Sequence, residues 1–435
     1  MRPPPRLLRS LVVALALLAV LGRARGDDVR IDITTGQGRR IRIHCEALEA
    51  QGNRNAAVSS VQADEVLASD LDHSAVFNVS RSWSAGEQPF DVQAFVGGKW
   101  TVAGNQVRLS GEVRDFPARR PILVREYRGP IQEWRSLVHR FADDVVLQFT
   151  GEPGVSQTRI AFAARSGRDK ELYVMDLDGA GLTALTHDRS IALSPAWSPD
   201  GSLILFTSYR GGTGPQIYVV PARGGRSFLV SGRKGLNTSA SYSPDGREIV
   251  CTLSFEGNPE IYLLDARGGA PRRLSTSRGI DTSPTWSPTG REIAFTSDRS
   301  GTPQVYVMDH EGGNVRRLTY DVDYTDSPAW SPKGDRIAFV SRTSAGFDIY
   351  LCRADGSGAR LVVSGGSNEN PRWSPDGRHL VFASNRDGAS GLYITDLDDR
   401  PPRRLDTGGL EAMNPAWSPR PASPASSAVE ADGRR

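Results

Sequence analysis

Short apolar runs separated by polar loops recur along most of the chain after residue 150. Five of them cover residues 203–208, 248–253, 292–297, 336–341 and 379–384. Runs of this length, bounded by Gly, Pro, Asp and Ser, are typical of β-strands. A second apolar run follows each of them and carries a tyrosine. These tyrosines are Tyr218, Tyr262, Tyr306, Tyr350 and Tyr393. The pattern therefore predicts pairs of strands that repeat.

Each strand pair is preceded by the same short motif, an aromatic residue followed by Ser-Pro-x-Gly. The motif starts at Trp197, Tyr242, Trp286, Trp330 and Trp373, and a shortened copy starts at Trp417. Successive copies lie 45, 44, 44, 43 and 44 residues apart. We expect the aromatic residue to end an inner strand and pack against the next blade, and the glycine to turn the chain at positive φ. A strand-rich period of this length predicts a β-propeller with four-stranded blades.

The two ends of the repeat region are complementary. Strands predicted at residues 159–164 and 172–173 have no Trp-Ser-Pro strand before them, whereas residues 414–419 form an inner strand with no strand after it. Pairing these halves completes six blades and removes the open sheet edges. A linear solenoid is the alternative, but its ends would need polar caps. We therefore expect a closed six-bladed propeller over residues 151–419, with fourth strands such as residues 315–319.

Residues 27–150 do not share the repeat and predict a small α/β domain. One helix is predicted over residues 56–71, and its apolar side would consist of Val58, Val61, Leu67 and Leu71. A second is predicted over residues 131–149, and its apolar stripe consists of Trp134, Leu137, Val138, Phe141, Val145 and Phe149. Strands are predicted at residues 29–33, 92–100, 105–113 and 121–127. With a hinge at residues 151–154, the fold class is multidomain, α/β followed by all-β.

The first 26 residues have the features of a secretory signal peptide. Arginines stand at the start, an apolar run covers residues 11–21, and Ala24 and Gly26 precede Asp27. The run is shorter than the roughly 20 residues that span a bilayer. Removing this segment takes away five arginines and no acid, so the formal charge changes from +3 to −2. We therefore expect an exported protein without a basic surface for nucleic acid.

Two further features complete the chain. Cys45, Cys251 and Cys352 do not form a disulfide framework or a Cys-x-x-Cys zinc motif. Buried free thiols are the favoured interpretation, and a single bridge that involves Cys45 stays open. Residues 420–435 are rich in Pro, Ser and Ala, which predicts a disordered tail.

A signal peptide, a small α/β domain and six propeller blades, in this order, resemble the TolB family of the Tol-Pal envelope system. Local stretches carry the same resemblance: residues 139–143 (HRFAD), 150–154 (TGEPG), 158–162 (TRIAF), 297–306 (SDRSGTPQVY) and 366–371 (GSNENP). Six motifs in register are far more specific than one. The segment between residues 35 and 55 departs from the family, which usually has a Pro-rich strand ending there.

The resemblance implies a periplasmic, non-catalytic adaptor that supports outer-membrane integrity and constriction during cell division. It implies two partners, the lipoprotein Pal on a propeller face and the periplasmic domain of TolA at the mature N-terminus; other outer-membrane proteins are further candidates. We expect a monomer without cofactor, metal or membrane insertion. The implied TolA-binding segment is Asp27, Asp28, Val29, Arg30, Ile31, Asp32, Ile33 and Thr34. Its alternation suits addition to a partner's sheet edge, and an edge strand of its own domain is the alternative.

The Pal-binding face would be formed by loops between second and third strands and between successive blades. Residues that match the family's Pal-contacting loops are Leu236, Asn237, Thr238, Asp281 and Thr282. Symmetry around the ring adds Asp326, Asn368, Glu369 and Asn414. Recurring arginines in the neighbouring loops are Arg210, Arg299, Arg342 and Arg386. They would offer cationic groups to a carboxylate-bearing partner, unless each pairs with an acid of its own blade.

The alternatives to an adaptor are an enzyme, either a hydrolase or a lyase, and a secreted binding protein. Related propellers precede α/β-hydrolase domains in some peptidases, but sixteen residues follow Pro419 and no G-x-S-x-G motif is present. Propeller lyases hold a metal with clustered histidines, whereas the six histidines here do not recur on one face. A cation held in the channel by loop carboxylates and carbonyls stays open. The third class is a secreted propeller that binds another protein or a glycan.

Overall fold

The structure is a computed structural model that describes residues 40–52, 58–81, 92–344, 346–398 and 400–422. The predicted signal peptide, the predicted strand at residues 29–33 and the implied TolA-binding segment at residues 27–34 lie outside the described residues. So do residues 423–435 of the predicted tail. The described residues form one compact unit.

A mixed sheet and two helices form the first part of this unit. Its elements are β1 Ile41–Cys45, β2 Glu49–Gly52, α1 Ser60–Asp72, β3 Phe77–Ser80, β4 Ala94–Ala103, β5 Gln106–Asp115, β6 Pro121–Pro130, a 3-10 turn Ile131–Glu133 and α2 Trp134–Thr150. The sheet order is β3-β1-β4-β5-β6, with β2 also paired to β4. β1 pairs in parallel with β3 and β4, and β2 pairs in parallel with β4. β5 pairs antiparallel with both β4 and β6.

The helices confirm most of the predicted apolar faces. In α2 the side chains of Leu137, Val138, Phe141 and Val145 are buried, so the predicted stripe packs in the core. In α1 the prediction was wrong for Val61, which is 59% exposed. The reason is the capping box of Ser59 with Gln62, which starts the helix at Ser60 and leaves Val61 in the solvent-facing first turn.

The second part consists of antiparallel four-stranded sheets. The strands are β7 Arg159–Ser166, β8 Asp169–Asp176, β9 Thr183–Ala184; β10 Ala192–Trp197, β11 Leu203–Ser208, β12 Gln216–Pro221, β13 Phe228–Ser231; β14 Asn237–Tyr242, β15 Glu248–Leu253, β16 Glu260–Asp265, β17 Arg272–Arg273; β18 Asp281–Trp286, β19 Glu292–Ser297, β20 Gln304–Asp309, β21 Arg316–Arg317; β22 Thr325–Trp330, β23 Arg336–Thr343, β24 Gly346–Arg353, β25 Arg360–Val363; β26 Asn368–Trp373, β27 Leu380–Ser384, β28 Gly391–Thr395, β29 Arg403–Arg404; and β30 Ala412–Trp417.

The ring is closed by the last strand, as the complementary ends predict. β30 pairs antiparallel with β7, with Ala412 opposite Ala164 and Trp417 opposite Ile160, and this sheet has the order β30-β7-β8-β9. Each inner strand contacts the inner strands of both neighbouring blades, which confirms the six-bladed propeller. The solenoid is thereby excluded.

The aromatic residue of the repeat packs against the preceding blade, not the next one. The indole nitrogen of Trp286 donates to Ser241 O, and that of Trp373 donates to Ala329 O at 2.9 Å. Trp197 closes the ring in the same way, donating to Ala416 O at 3.0 Å. The direction of this packing could not be read from the motif, because either neighbouring blade offers an apolar wall. The glycines of the motif have positive φ, as predicted.

The first strand of every blade carries a bulge at its third residue. These residues have φ between 48° and 55°: Ser194, Ser239, Ser283, Ser327, Asn370 and Asn414. The pairing register shifts at the same place in all six blades. A bulge inserts one residue and re-aims the side chains that follow. The third to sixth residues of most of these strands line a central channel.

The cysteines are buried, free thiols, in agreement with the favoured interpretation. Burial raises the pKa of Cys45 and of Cys352 to about 12, so both thiols are protonated at neutral pH. Their role is that of small apolar core residues.

Candidate protein-binding face

The two faces of the propeller differ in what covers them. Turns between first and second strands, and loops between third and fourth strands, lie on the face that contacts the N-terminal domain. For example, Arg378 is 3.5 Å from Glu152 and the Asp178 loop contacts Arg135. The other face carries the loops between second and third strands and between successive blades. We call it the loop face, and none of the described N-terminal contacts reaches it.

The four recurring arginines are held by their own blades. Arg210 lies 3.0 Å from Asp188, with its guanidinium 3.7 Å from the ring centre of Tyr218. On two other blades the partner is instead the first residue of the inner strand, with Arg299 2.8 Å from Asp281 and Arg386 2.8 Å from Asn368. Arg342 differs, because its guanidinium stacks at 4.7 Å on Tyr324 and has neither an ion pair nor a side-chain hydrogen bond among the described residues. These arginines therefore brace the loops, and only part of each is exposed to a partner.

Three of the predicted site residues are fully buried. Asn237, Asp281 and Asn368 each occupy the first position of an inner strand and are 0% exposed. Asn237 shows their role, because its amide donates to Pro215 O at 3.1 Å and to Arg233 O at 2.7 Å. Asn368 likewise donates to Phe347 O at 3.1 Å. These side chains tie adjacent loops together and shape the face without forming its surface.

The second position of the inner strands reaches the surface around the channel mouth. Thr238, Thr282 and Asp326 are half-buried there and Glu369 is exposed. The Asp326 carboxylate accepts a hydrogen bond from Thr296 Oγ1 at 2.8 Å. Asn414, at the third position, donates to Asn370 Oδ1 at 2.7 Å inside the channel mouth.

An exposed apolar group on the loop face was largely missed by the sequence interpretation. It consists of Ile191, Tyr209, Leu236 and Ile280, which are 38%, 39%, 37% and 49% exposed; we call it the apolar arc. Tyr209 N donates to Ile191 O at 3.0 Å, which joins two of its members directly. Ile191, Leu236 and Ile280 lie six residues before the aromatic residue of three successive blades, so the repeat register could have revealed them. At the same position two other blades have Ser367 and Glu411.

The family models match both parts of the structure. The TolB amino-terminal domain matches residues 29–125, and the TolB beta propeller domain matches residues 146–421, which is more than half of the chain. The chain belongs to the TolB family. The resemblance inferred from the blade motifs is thus confirmed.

Relatives and a solved structure agree with this assignment. The "Tol-Pal system protein TolB" of Anaeromyxobacter sp. (strain K) is 37% identical over 263 residues, which are 57% of this chain and 59% of that protein. That of Desulfosudis oleivorans is 37% identical over 158 residues, 36% of each chain. The match thus spans less than two thirds of these relatives. The crystal structure of TolB from Acinetobacter baumannii has a TM-score of 0.78 and 27% identity, covering 88% of this chain and 97% of that one.

In this TolB family member, a buried charge cluster joins the N-terminal domain to the propeller. His139 Nδ1 lies 2.6 Å from Asp70, and its Nε2 lies 3.4 Å from Asp178 of the propeller. Arg135 Nε donates to the same Asp178 at 3.0 Å. Burial alone would lower the pKa of His139, but the two carboxylates raise it to about 10. Burial opposes ionisation of Asp178 as well, yet His139 and Arg135 hold its pKa well below the usual range.

A second set of contacts closes the same interface. Arg40 binds Asp396 at 2.7 Å and also Asp398, with only 9% of its side chain exposed. Nε2 of His379 in the propeller is 3.0 Å from the backbone oxygen of His73 in the N-terminal domain. Charged contacts of this kind fix orientation, because a buried ion whose partner moves away is strongly destabilised.

Two general properties of the described residues complete the site. Neither α1 nor α2 is long and apolar enough to cross a membrane. In the part of the chain that the structure describes, no three His, Cys, Asp or Glu side chains are arranged around a possible metal ion.

Proposed function

We propose that this TolB family member is a periplasmic, non-catalytic adaptor of the Tol-Pal system, which binds the lipoprotein Pal through the loop face. The observation that carries this proposal is the apolar arc, which spans three successive blades on the face that the N-terminal domain leaves uncovered. Exposed apolar groups with a polar surround are typical of protein-binding surfaces. The naming of the relatives as Tol-Pal system proteins supports the choice of partner.

The chemistry of the face suits a protein partner of mixed character. Ile191, Leu236 and Ile280 supply apolar contacts, while Arg210 and Arg299 supply cations already held in place by their blades. A braced arginine loses little conformational entropy when a carboxylate binds to it. Thr282, at the second position of β18, is half-buried and offers a hydroxyl. We therefore expect Pal to contact the face with apolar and acidic side chains together.

Calorimetry with the soluble domain of Pal from the same organism tests this proposal. We compare the chain from residue 27 with the variant Leu236→Asp plus Ile280→Asp. The matched control is Phe228→Asp plus Leu229→Asp, because both of these residues are 56% exposed but lie on outer strand β13. We expect at least a tenfold loss of affinity for the arc variant and no loss for the control. Equal affinity of all three proteins would contradict binding through the arc.

We further propose that TolA binds the segment from Asp27 to Thr34. The support is the alternation of Val29, Ile31 and Ile33, which suits strand addition, together with membership of the family. Deletion of residues 27–34 should abolish capture by the periplasmic domain of TolA and leave Pal binding unchanged. A deletion protein that still captures TolA would exclude this segment.

A further inference from the structure

The central channel has a wall that is almost free of charge. It has a cavity volume of about 380 Å³ and is lined by inner-strand residues and by the Ser-Pro pairs that follow them. Among the described residues that line it, Arg372 is the one with a charged side chain. No carboxylate belongs to this lining.

Arg372 breaks the repeat at a position that the fold leaves small. It is the fifth residue of β26, and the residues at the same position of the other inner strands are Ala196, Ser241, Thr285, Ala329 and Ala416. Five blades therefore form without a long side chain there, so packing of the propeller does not require the arginine. A residue that departs from the repeat without stabilising the fold is a candidate for a functional role.

The guanidinium of Arg372 is poorly compensated. Its one hydrogen bond found among the described residues is donated by Nη1 to Pro371 O at 3.1 Å, which leaves four N–H donors for other partners. None of the ion pairs of the described residues includes Arg372. Burial lowers its pKa and no acid offsets that effect. A partly buried charge without an acidic partner is costly, and an opposite charge that joins it would reduce this cost.

We propose that the propeller channel is a binding site for a carboxylate, held by the guanidinium of Arg372. The planar fork of an arginine matches a carboxylate in a bidentate pair. One positive charge neutralises one carboxylate, whereas a phosphate dianion would keep an uncompensated charge in a wall without other cations. Ser241 and Thr285, which line the channel at the equivalent position of two other blades, have hydroxyls that can donate hydrogen bonds to the bound carboxylate.

Saturation-transfer NMR on the methyl protons of acetate tests the site in the chain from residue 27. We expect saturable binding in the millimolar range for the wild type, and at least a tenfold loss in Arg372→Ala. Alanine already stands at this position in three blades, so the fold should persist; Arg372→Gln is a second neutral variant of similar size. The control Arg247→Ala removes the same charge from a side chain that is 84% exposed. It should bind acetate like the wild type.

Two further probes separate the source of the carboxylate. A blocked tripeptide Ala-Glu-Ala, compared with Ala-Gln-Ala, represents an acidic chain that enters the channel, and acetate represents a free small molecule. Tighter binding of the Glu peptide than of acetate identifies a peptide source, and the reverse order identifies a small molecule. Unchanged acetate binding in both Arg372 variants would overturn the proposal, as would no saturable binding at all. Preference for inorganic phosphate would overturn the choice of carboxylate.

Discussion

On the loop face the ring presents Ile191, Leu236 and Ile280 to solvent, whereas on the opposite face Asp178 and Asp396 are taken up by the N-terminal domain. Both faces are built from the same repeat, so the framework does not decide their chemistry. The covered face uses buried ion pairs, whose strength depends on geometry and which fix one orientation. The open face keeps apolar side chains exposed, which suits a partner that binds and leaves. We infer that one face holds the molecule together and the other serves recognition.

The substitution Asp178→Asn should have the largest effect on stability. It leaves His139 and Arg135 at the domain interface without their shared carboxylate, and breaking a buried ion pair costs about 3 kcal/mol. The measurement is the free energy of unfolding from urea denaturation. On the loop face, Asp188→Asn breaks a pair with Arg210 whose side chains are about one quarter exposed, and should cost below about 1 kcal/mol. Equal losses would remove the proposed difference between the faces.

The pH dependence of stability should isolate His139. Its pKa is raised to about 10 in the folded protein, above its usual value near 6.5, so its contribution is complete below about pH 6.5. That contribution is lost as the pH rises through 10, because the neutral imidazole no longer pairs with Asp70 and Asp178. We expect the stability difference between wild type and His139→Gln to shrink by about 2 kcal/mol between pH 6.5 and 10. Because the other groups titrate in both proteins, taking the difference removes their contribution. A stability difference that stays constant between pH 6.5 and 10 would show that His139 is neutral over this range.

Within the loop face, Ile280→Asp should weaken Pal binding by about 1.5 kcal/mol, roughly tenfold. Its side chain is 49% exposed, so the free energy of unfolding should change by less than about 0.5 kcal/mol. Ser367→Asp introduces the same charge at the same repeat position on a blade outside the apolar arc. Calorimetry should find that this control binds like the wild type. If both variants lose affinity equally, the added charge and not the apolar contact is responsible.

How much could be predicted from the sequence differs between repeated and single features. The second strands were located almost residue by residue, and the aromatic residue of the motif correctly marked the end of each inner strand, because six copies of one motif fix their register. The last inner strand was predicted at residues 414–419 and is Ala412–Trp417. β1, β2 and β3 were not predicted. In β2, Glu49–Gly52 has no apolar alternation and forms by parallel pairing with β4. The fourth strand predicted at residues 315–319 is reduced to Arg316–Arg317, because only two residues of it pair with β20.

The site divides in the same way. Asn237 and Asp281, taken from the family resemblance, and Asn368, added by symmetry, share the first position of an inner strand. Burial of a side chain at this position is decided by how the neighbouring loops close over it. The cluster of Asp70, His139 and Asp178 could not be predicted, since its members come from different elements and two domains. Exposed apolar residues in loops carry no periodic signal, and only alignment by the repeat would have shown the apolar arc.

The recurring arginines give the smallest expected effect and the finest test of the loop face. Arg299 is tied to the buried Asp281, whereas Arg342 stacks on Tyr324 at 4.7 Å without an ion pair among the described residues. A cation stacked on a ring in a largely exposed place contributes about 0.5 kcal/mol. Arg342→Ala should therefore change the free energy of unfolding by about that amount. Of the four arginines it makes the fewest polar contacts within its blade, so a carboxylate of the partner can reach its guanidinium most easily. We expect Arg342→Ala to lower the affinity for Pal two- to threefold, about 0.5 kcal/mol.

The matched variant Arg342→Lys keeps the charge and loses the planar stack. If it restores Pal affinity but not stability, the charge of this arginine acts in recognition and its ring contact acts in the fold. If neither substitution changes the affinity, the arginines serve the blades alone, and recognition rests on the apolar arc. Either result separates bracing from binding on one side chain, because the two roles use different properties of the same guanidinium.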